Sequence, residues 1–489
     1  MVHDASLMFD LVIPGGLWES LQRHLFPGDS DEHGAVIAAG FSKSGNRVRL
    51  LACDLFLAQD GVDYLPGQRG YRMLTAPFVR DKALYCRDEK LAYLAIHNHD
   101  GMNSVEFSED DLRSHVRGYP ALQDITRGQI VGGLVFAQNA VAGDLWLRGG
   151  RATLRSARVI GPRIFDLHPT TPSRPPGASF TFDRQARLFG DRGQEILRGQ
   201  RVGVIGLGGV GSLVCEYLAR LGVGEIVLVD PDRIDPTNLP RVVGSTSWDA
   251  RSLLRVPSLP KWIQEIGAGT AKFKVDIARR EAKRANASLK VVTHRRSVIE
   301  VEAAADLTTC DFLFLAADSM QARHVFNALV NQYLIPGVQL GAKVPVEKES
   351  GEIGRVYSVV RPVLPRQGCL WCNGFISPAK LQEESLTERD REAQRYVDEP
   401  DIPAPSVITL NAVTAAHAVN DYLFRVTGLR ETQASDDFTY FEPRTSTSRG
   451  EVPRTDLGCL ECGSTSRSRF ARGDLRELPI RGGRMLGTN

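Results

Sequence analysis

Two groups of residues on this chain have the types and spacing that do chemistry. The first is His97-Asn98-His99, followed by Ser108-x-x-Asp111. Histidines at i and i+2 on a strand end point the same way, because strand side chains alternate with period two. An aspartate one short loop away completes a two-His, one-Asp zinc site that keeps a fourth position open for water. Zinc lowers the pKa of that water, and a carboxylate outside the ligand set takes its proton. Glu32, ahead of the strand-like HGAVIAAG, is the candidate base. The second group begins at GLGGVGS, Gly206 to Ser212. Its Gly206, Gly208, Gly209 and Gly211 let backbone N–H groups approach a phosphate with no Cβ in the way. Asp230, ending the next strand-like run, suits a ribose hydroxyl. That much fits an NAD-dependent oxidoreductase as well as an ATP-using enzyme, and no Gly-Lys-Ser/Thr follows to make a Walker loop. The run DPDRIDPTNLPR breaks the tie by delivering Asn238 and Arg241. Hydride transfer has no need of them. Attack of a carboxylate on an α-phosphate does, since cations must offset charge on the transferring group.

These groups need elements to hold them. At 489 residues the chain exceeds one ordinary core, so two or three domains are expected. With 42% apolar and 24% charged residues it has the composition of a soluble globular protein. A formal charge of +2 gives no argument for nucleic acid or membrane as partner. The apolar runs are too short and broken to span a bilayer, and the amino terminus lacks the pattern of a signal peptide. The reading is therefore cytoplasmic. AVIAAGF, RVRLLACDLFLA and LAYLAIHNH have the apolar and β-branched content of strands. RVGVIGLGGVGSLVCEYLARLGVGEIVLVD gives strand, Gly-rich turn, helix and strand, the opening of a dinucleotide-type α/β fold. The domains expected are residues 1–160, a Pro-rich linker 161–181 with four prolines in LHPTTPSRPPGAS, and 182–463. A charged, mobile crossover loop is expected over 377–405, and an Arg-, Ser- and Gly-rich flexible tail over 464–489.

The first stretch, from about residue 8 to 150, resembles the JAB/MPN (JAMM) metalloprotease family in Glu32, His97-x-His99 and Ser108-x-x-Asp111. The resemblance implies an α+β zinc peptidase with Glu32 as catalytic carboxylate and His97 and His99 as ligands. It implies that Ser108 helps stabilise the tetrahedral oxyanion. Eight residues separate His99 from Ser108, where seven is usual, so the third ligand is Asp111 first and Asp110 second. Asp100 replaces the proline that usually follows the second histidine. From Phe182 to Gly463 the chain resembles the ThiF/MoeB/HesA family, whose Rossmann-like adenylation fold is shared with ubiquitin-activating enzymes. That likeness implies ATP and Mg²⁺, with Gly206, Gly208, Gly209 and Gly211 at the nucleotide, Asp230 on the ribose, and Asn238 and Arg241 in an Asn-Leu-x-Arg element. It implies Lys274 as catalytic lysine, with Lys272 as runner-up, Asp318 as magnesium-linked aspartate followed by Arg323, and Arg184 as an arginine reaching into a homodimer partner. About twenty more residues separate Arg241 from Lys274 than in compact bacterial members, so SWDARSLLRVPSLPKWIQEIG is an insertion.

Cys369-x-x-Cys372 and Cys459-x-x-Cys462 pair as one tetrahedral four-cysteine structural zinc site. Cys53, Cys86, Cys215 and Cys310 sit in apolar contexts and are expected in the core. Ubiquitin-activating relatives carry a nucleophilic cysteine at the crossover loop, but no Cys lies between Cys372 and Cys459. DIPAPSVITLN offers Ser406 there instead. An acyl-adenylate is activated enough for a serine acceptor, which would give an oxyester; the other reading of Ser406 is an N-cap for the helix ITLNAVTAAHAVNDYL. The sequence thus points to a bifunctional, bacterial-type enzyme. Its protease would trim or remove a ubiquitin-like modifier, and its second domain would adenylate the modifier's C-terminal glycine, with a conjugating enzyme as further partner. The alternatives are a sulfur-carrier adenylyltransferase serving cofactor or amino-acid biosynthesis, and a scaffold that binds the modifier without catalysis.

Overall fold

The computed structural model describes residues 7–66, 70, 72–170, 172, 180–346, 352–386, 405–431 and 433–481, with the backbone of residues 2–3. The chain divides into two compact units. The first comprises Met1–Arg174, Asn331–Leu334 and Leu457–Glu477; the second comprises Pro175–Val330, Ile335–Asp456 and Leu478–Asn489.

The first unit is built on nine strands among the described residues: β1 (Val2–His3), β2 (Met8–Pro14), β3 (Ala35–Ser44), β4 (Arg47–Leu57), β5 (Ala92–Asn98), β6 (Val131–Ala137), β7 (Ala140–Leu147), β8 (Gly150–Ile160) and β9 (Ile164–Leu167). They run β1-β8-β2-β4-β3-β5-β6-β7, with β9 on β8, and a β7–β8 pairing joins the path back on itself. Helices α1 (Gly15–Leu25), α2 (Ala76–Glu89) and α3 (Glu109–Ile125) complete it. Period-two alternation sends Leu11 and Ile13 of β2 into one apolar cluster, with Trp18, Leu94 and Leu134, and Val12 into another, with Val36, Phe78 and Tyr93. Both faces of the sheet are therefore covered.

The run from Ser464 was expected to be a flexible tail; as far as Glu477 it belongs to this unit instead. Phe470 is 1% exposed and joins the second cluster with Ala471. Gly473 bridges Phe41, the Asp474 N–H donates to Phe41 O at 2.8 Å, and the Lys43 N–H donates to an Asp474 carboxylate oxygen at 2.7 Å. A Cβ on Gly40 would lie 2.0 Å from Ala471 O, so the approach needs glycine there. Residues 482–489 of the expected tail lie outside the described residues, as do 173–179 of the linker and 387–404 of the crossover loop.

The second unit has the doubly wound α/β pattern. Its strands β10 (Arg201–Ile205), β11 (Glu225–Val229), β12 (Lys290–His294), β13 (Phe312–Leu315), β14 (Gly337–Lys343), β15 (Tyr357–Val363), β16 (Phe438–Glu442) and β17 (Thr447–Glu451) lie in the order β12-β11-β10-β13-β14-β15-β16-β17. β12 to β14 in that order are parallel and the remaining pairings antiparallel. The parallel strands β10, β11 and β13 are near-continuous apolar runs, as burial on both faces requires; all four residues of β13 are buried, whereas the edge strand β12 is exposed or half-buried throughout. Its helices are α4 (Asp183–Gly199), α5 (Gly209–Leu221), α6 (Lys261–Thr270), α7 (Lys274–Ala285), α8 (Val301–Leu307), α9 (Met320–Gln332), α10 (Pro378–Ser385) and α11 (Ile408–Thr427). The start of the expected crossover loop is thus the helix α10, and the insertion carries α6. Strand order reverses between β10 and β13, and ligands of such sheets bind at the carboxyl ends of strands at that switch point. No helix among the described residues is long and apolar enough to cross a membrane.

Candidate functional sites

In the first unit, β5 ends at Asn98, and His97 and His99 leave the strand end on one side with Nε2 atoms 3.2 Å apart. Asp111 comes from the first turn of α3. Its oxygens lie 3.5 Å from His97 Nε2 and 3.4 Å from His99 Nε2, and one ligand atom from each residue falls within 4.8 Å of the others. Ser108 caps α3 and builds a capping box with Asp111: its N–H and Oγ–H donate to Asp111 Oδ2 at 2.8 and 2.7 Å. The structure brings Asp111 to the histidines, whereas Asp110 is exposed and pairs with Arg113 at 2.7 Å. Ser108 spends its hydroxyl proton on Asp111, so the expected oxyanion role requires that bond to be exchanged.

The donor set fits zinc. His99 Nδ1 lies 3.1 Å from Glu106 O, a backbone partner that fixes the tautomer and turns Nε2 inward. Burial opposes ionisation of Asp111, but hydrogen bonds with His97 and His99 outweigh it and hold the carboxyl well below the usual range. The Asp111 bond in turn raises His99. Glu32 stands in the loop before β3, its Oε1 3.8 Å from His99 Nε2. Burial, opposed by His97 and His99, pushes its carboxyl up, the direction a proton-accepting carboxylate needs. Two residues escaped sequence reasoning. Asn98 Oδ1 accepts from the His33 N–H at 2.7 Å and ties the Glu32 loop to the histidine strand; its place between the histidines was the available signal. His115, one turn beyond Asp111, lies 2.9 Å from Asp144, which also holds Trp146 and Arg151.

In the second unit the glycine-rich turn leaves β10 at the switch point. Gly206 has φ +90°, and a Cβ there would lie 2.7 Å from Ala317 N. Gly208 caps α5, and Gly209 and Gly211 form its first turn, so the turn leads into a helix N-terminus, whose N–H groups suit an anion. Asp230 is 4% exposed and accepts from the Leu207 N–H at 2.6 Å and the Asp232 N–H at 2.8 Å. It clamps the turn as well as standing where a ribose ligand should. Burial pushes its carboxyl up, against the field of Lys274.

Lys274 opens α7 and its Nζ lies 2.6 Å from Asp232. Lys272 instead pairs with the buried Asp249 at 3.1 Å, beside Arg280, which is a structural role. Arg241 donates to Thr237 O at 2.8 Å. Asn238 accepts from the Asp235 N–H at 3.3 Å in a capped turn. Asp318 is exposed after β13, and Arg184 is exposed on α4. Arg323 donates to Phe375 O at 2.9 Å.

Ser406 is not the helix cap considered from the sequence. α11 starts at Ile408, its N-cap is Val407, and no side chain caps it. Ser406 Oγ accepts instead from Asn411 Nδ2 at 3.1 Å. The Cys369 and Cys372 Sγ atoms lie 3.5 Å apart, and the Cys372 N–H points at Cys369 Sγ at 3.4 Å. In the first unit the Glu461 N–H points at Cys459 Sγ at 3.4 Å, with Cys462 buried nearby. Such N–H···S contacts suit thiolate ligands. Cys53, Cys86, Cys215 and Cys310 are all buried core residues, and burial pushes the Cys86 and Cys215 thiols to about 12.

The model of the ThiF family matches residues 182–459. Among curated proteins, the chain is 27% identical over 191 residues to an adenylyltransferase and sulfurtransferase MOCS3 of Aedes aegypti, covering 38% of this chain and 39% of that one. It is 24% identical over 241 residues to a ubiquitin-like modifier-activating enzyme 5 of Drosophila willistoni, covering 47% and 50%. A tRNA threonylcarbamoyladenosine dehydratase of Bacillus subtilis is 50% identical over 60 residues, 12% of this chain and 24% of that one. The chain thus spans between about a quarter and a half of the length of these curated relatives. Among solved structures, an Escherichia coli MccB is matched with a TM-score of 0.43 and 18% identity, over 58% of this chain and 75% of that one.

Proposed function

Since the chain belongs to the ThiF family, we propose that its second unit adenylates the C-terminal glycine carboxylate of a ubiquitin-like or sulfur-carrier protein, using ATP and Mg²⁺. Its first unit we propose to be a JAB/MPN-type zinc hydrolase that trims or removes the same modifier. The observation that carries the two-part reading is the convergence of His97, His99 and Asp111 within 4.8 Å, with Glu32 at their edge, on a chain whose other unit is ThiF-like. One site exposes a carboxylate and the other activates it.

In the hydrolase, His97, His99 and Asp111 would hold zinc, which would supply Lewis acidity and a water of lowered pKa. Glu32, its carboxyl raised by burial, would accept a proton from the attacking water and deliver it to the departing amine. Ser108 keeps Asp111 oriented. In the adenylation site the glycine-rich turn binds phosphate through backbone N–H groups, and Asp230 and Asp318 serve the ribose and the magnesium ion. The modifier's carboxylate attacks the α-phosphorus and pyrophosphate leaves. Arg241 and Lys274 offset the charge that develops, Asn238 holds the Arg241 turn, and Arg184 serves the site of a homodimer partner. The two Cys-x-x-Cys pairs supply structural zinc ligands. Ser406 then accepts the tail as an oxyester.

The test is intact mass of tagged protein isolated from its own cells after ATP is supplied, under denaturing, reducing conditions. The expected result is an addition of small-protein size that survives thiol and is lost in mild base. AMP production without any addition would favour the sulfur-carrier route, which the lack of a Cys between Cys372 and Cys459 equally suits. No AMP at all would remove the adenylation reading.

A further inference from the structure

Asn411 is 1% exposed in the first turn of α11. A buried amide costs stability unless its hydrogen bonds are made, and asparagine is a poor helix former, so its place there needs a reason. Its Nδ2 donates to Ser406 Oγ at 3.1 Å. The same nitrogen lies 2.2 Å from where a Cβ on Gly209 would stand, and Arg241 Cδ lies 3.3 Å from that point. One buried side chain therefore touches the nucleotide turn on one side and the exposed Ser406 on the other.

We infer that Asn411 is a positioning residue that holds the Ser406 hydroxyl against the nucleotide turn, as acceptor of the adenylated tail. The inference rests on the adenylation reading above. An amide cannot ionise, so its N–H always donates and always engages one lone pair of Ser406 Oγ. The second lone pair and the hydroxyl proton stay available. Oγ attacks the carbonyl carbon of the acyl-adenylate, a C–Oγ ester bond forms, and the bond from that carbon to the phosphate oxygen breaks. AMP leaves with the electron pair, and the hydroxyl proton ends on the departing phosphate. Gly209 is part of the device, because any side chain there would displace the amide.

The experiment measures the ratio of adduct to AMP released by full-length protein, with adduct read by intact mass in protein isolated as above. Asn411→Leu keeps the branched outline of the side chain and removes the donor; the ratio should fall about tenfold or more, since a misplaced nucleophile loses its orientation. Asn411→Asp, which also lacks the donor, should behave alike and serves if the leucine variant does not fold. Ser406→Ala should abolish the adduct, and Ser406→Cys should turn it thiol-labile. An unchanged ratio in the Asn411 variants, with the adduct lost in Ser406→Ala, overturns the role of Asn411 alone. A full adduct in Ser406→Ala overturns the acceptor and Asn411 with it. Wild-type protein that makes no AMP from ATP overturns the adenylation reading beneath both.

Discussion

Asp111 is both the third ligand of a candidate zinc site and a member of the capping box that starts α3. Loss of the side chain should therefore have two readouts. Asp111→Ala should lower bound zinc by about one ion per chain and weaken the helix start, whereas Asp110→Ala should leave the zinc content unchanged, because Asp110 pairs outward with Arg113. Elemental analysis of the two variants decides it. Lys274 and Lys272 make a similar pair. Lys274→Ala should cut ATP–pyrophosphate exchange by roughly 100-fold; Lys272→Ala should chiefly lower the melting temperature by loosening Asp249. At this scale the sequence was legible where chemistry has a fixed local spacing, as in His97-x-His99. It was silent on His115 and Asp144, because their contact joins α3 to β7 and no spacing announces it. For Ser406 the residue was visible, but its partner Asn411 was hidden in a run that reads simply as amphipathic helix.

Strands β10, β11 and β13 were legible as apolar runs, and the nucleotide turn as the glycines between the first two. The element misjudged is 464–477, which was expected to be tail and belongs to the first unit. Its composition is that of a solvated tail, because most of its surface is polar and its burial is concentrated in a few side chains. Composition does not record contacts: Phe470, at 1% exposed, anchors a segment otherwise rich in Arg and Ser. Phe470→Ala should destabilise the first unit by about 3 kcal/mol, within the usual range for a large buried aromatic. Urea unfolding followed by a probe in that unit, such as Trp18, measures it; a change within about 0.5 kcal/mol, as for a surface residue, would return the segment to the status of a tail.

At the scale of the whole molecule, stability at acid pH depends on Asp10. Burial pushes its carboxyl up, but Arg155 and Arg47 outweigh that and hold it at about 2. The folded value lies below the ordinary aspartate value of about 3.9, so the contribution is present above that value and is lost as pH falls through about 2. It amounts to about 2 kcal/mol. Asp10→Asn should lower the melting temperature at pH 7 and flatten its fall between about pH 5 and pH 2. A parallel loss at every pH would mean that Asp10 acts only by packing.

The first unit draws on three separated stretches of the chain, the last ending at Glu477. Synthesis runs from the amino terminus, and domains generally fold in that order as they emerge. Here the first unit is interrupted: begun first, it is completed only after most of the second has been made. A ribosome that has released residue 174 has exposed nine strands and three helices but not Phe470, whose seat among Val36, Tyr93 and their neighbours stays open until residue 470 has been made. Any product halted between residues 174 and 470 leaves that apolar seat unfilled.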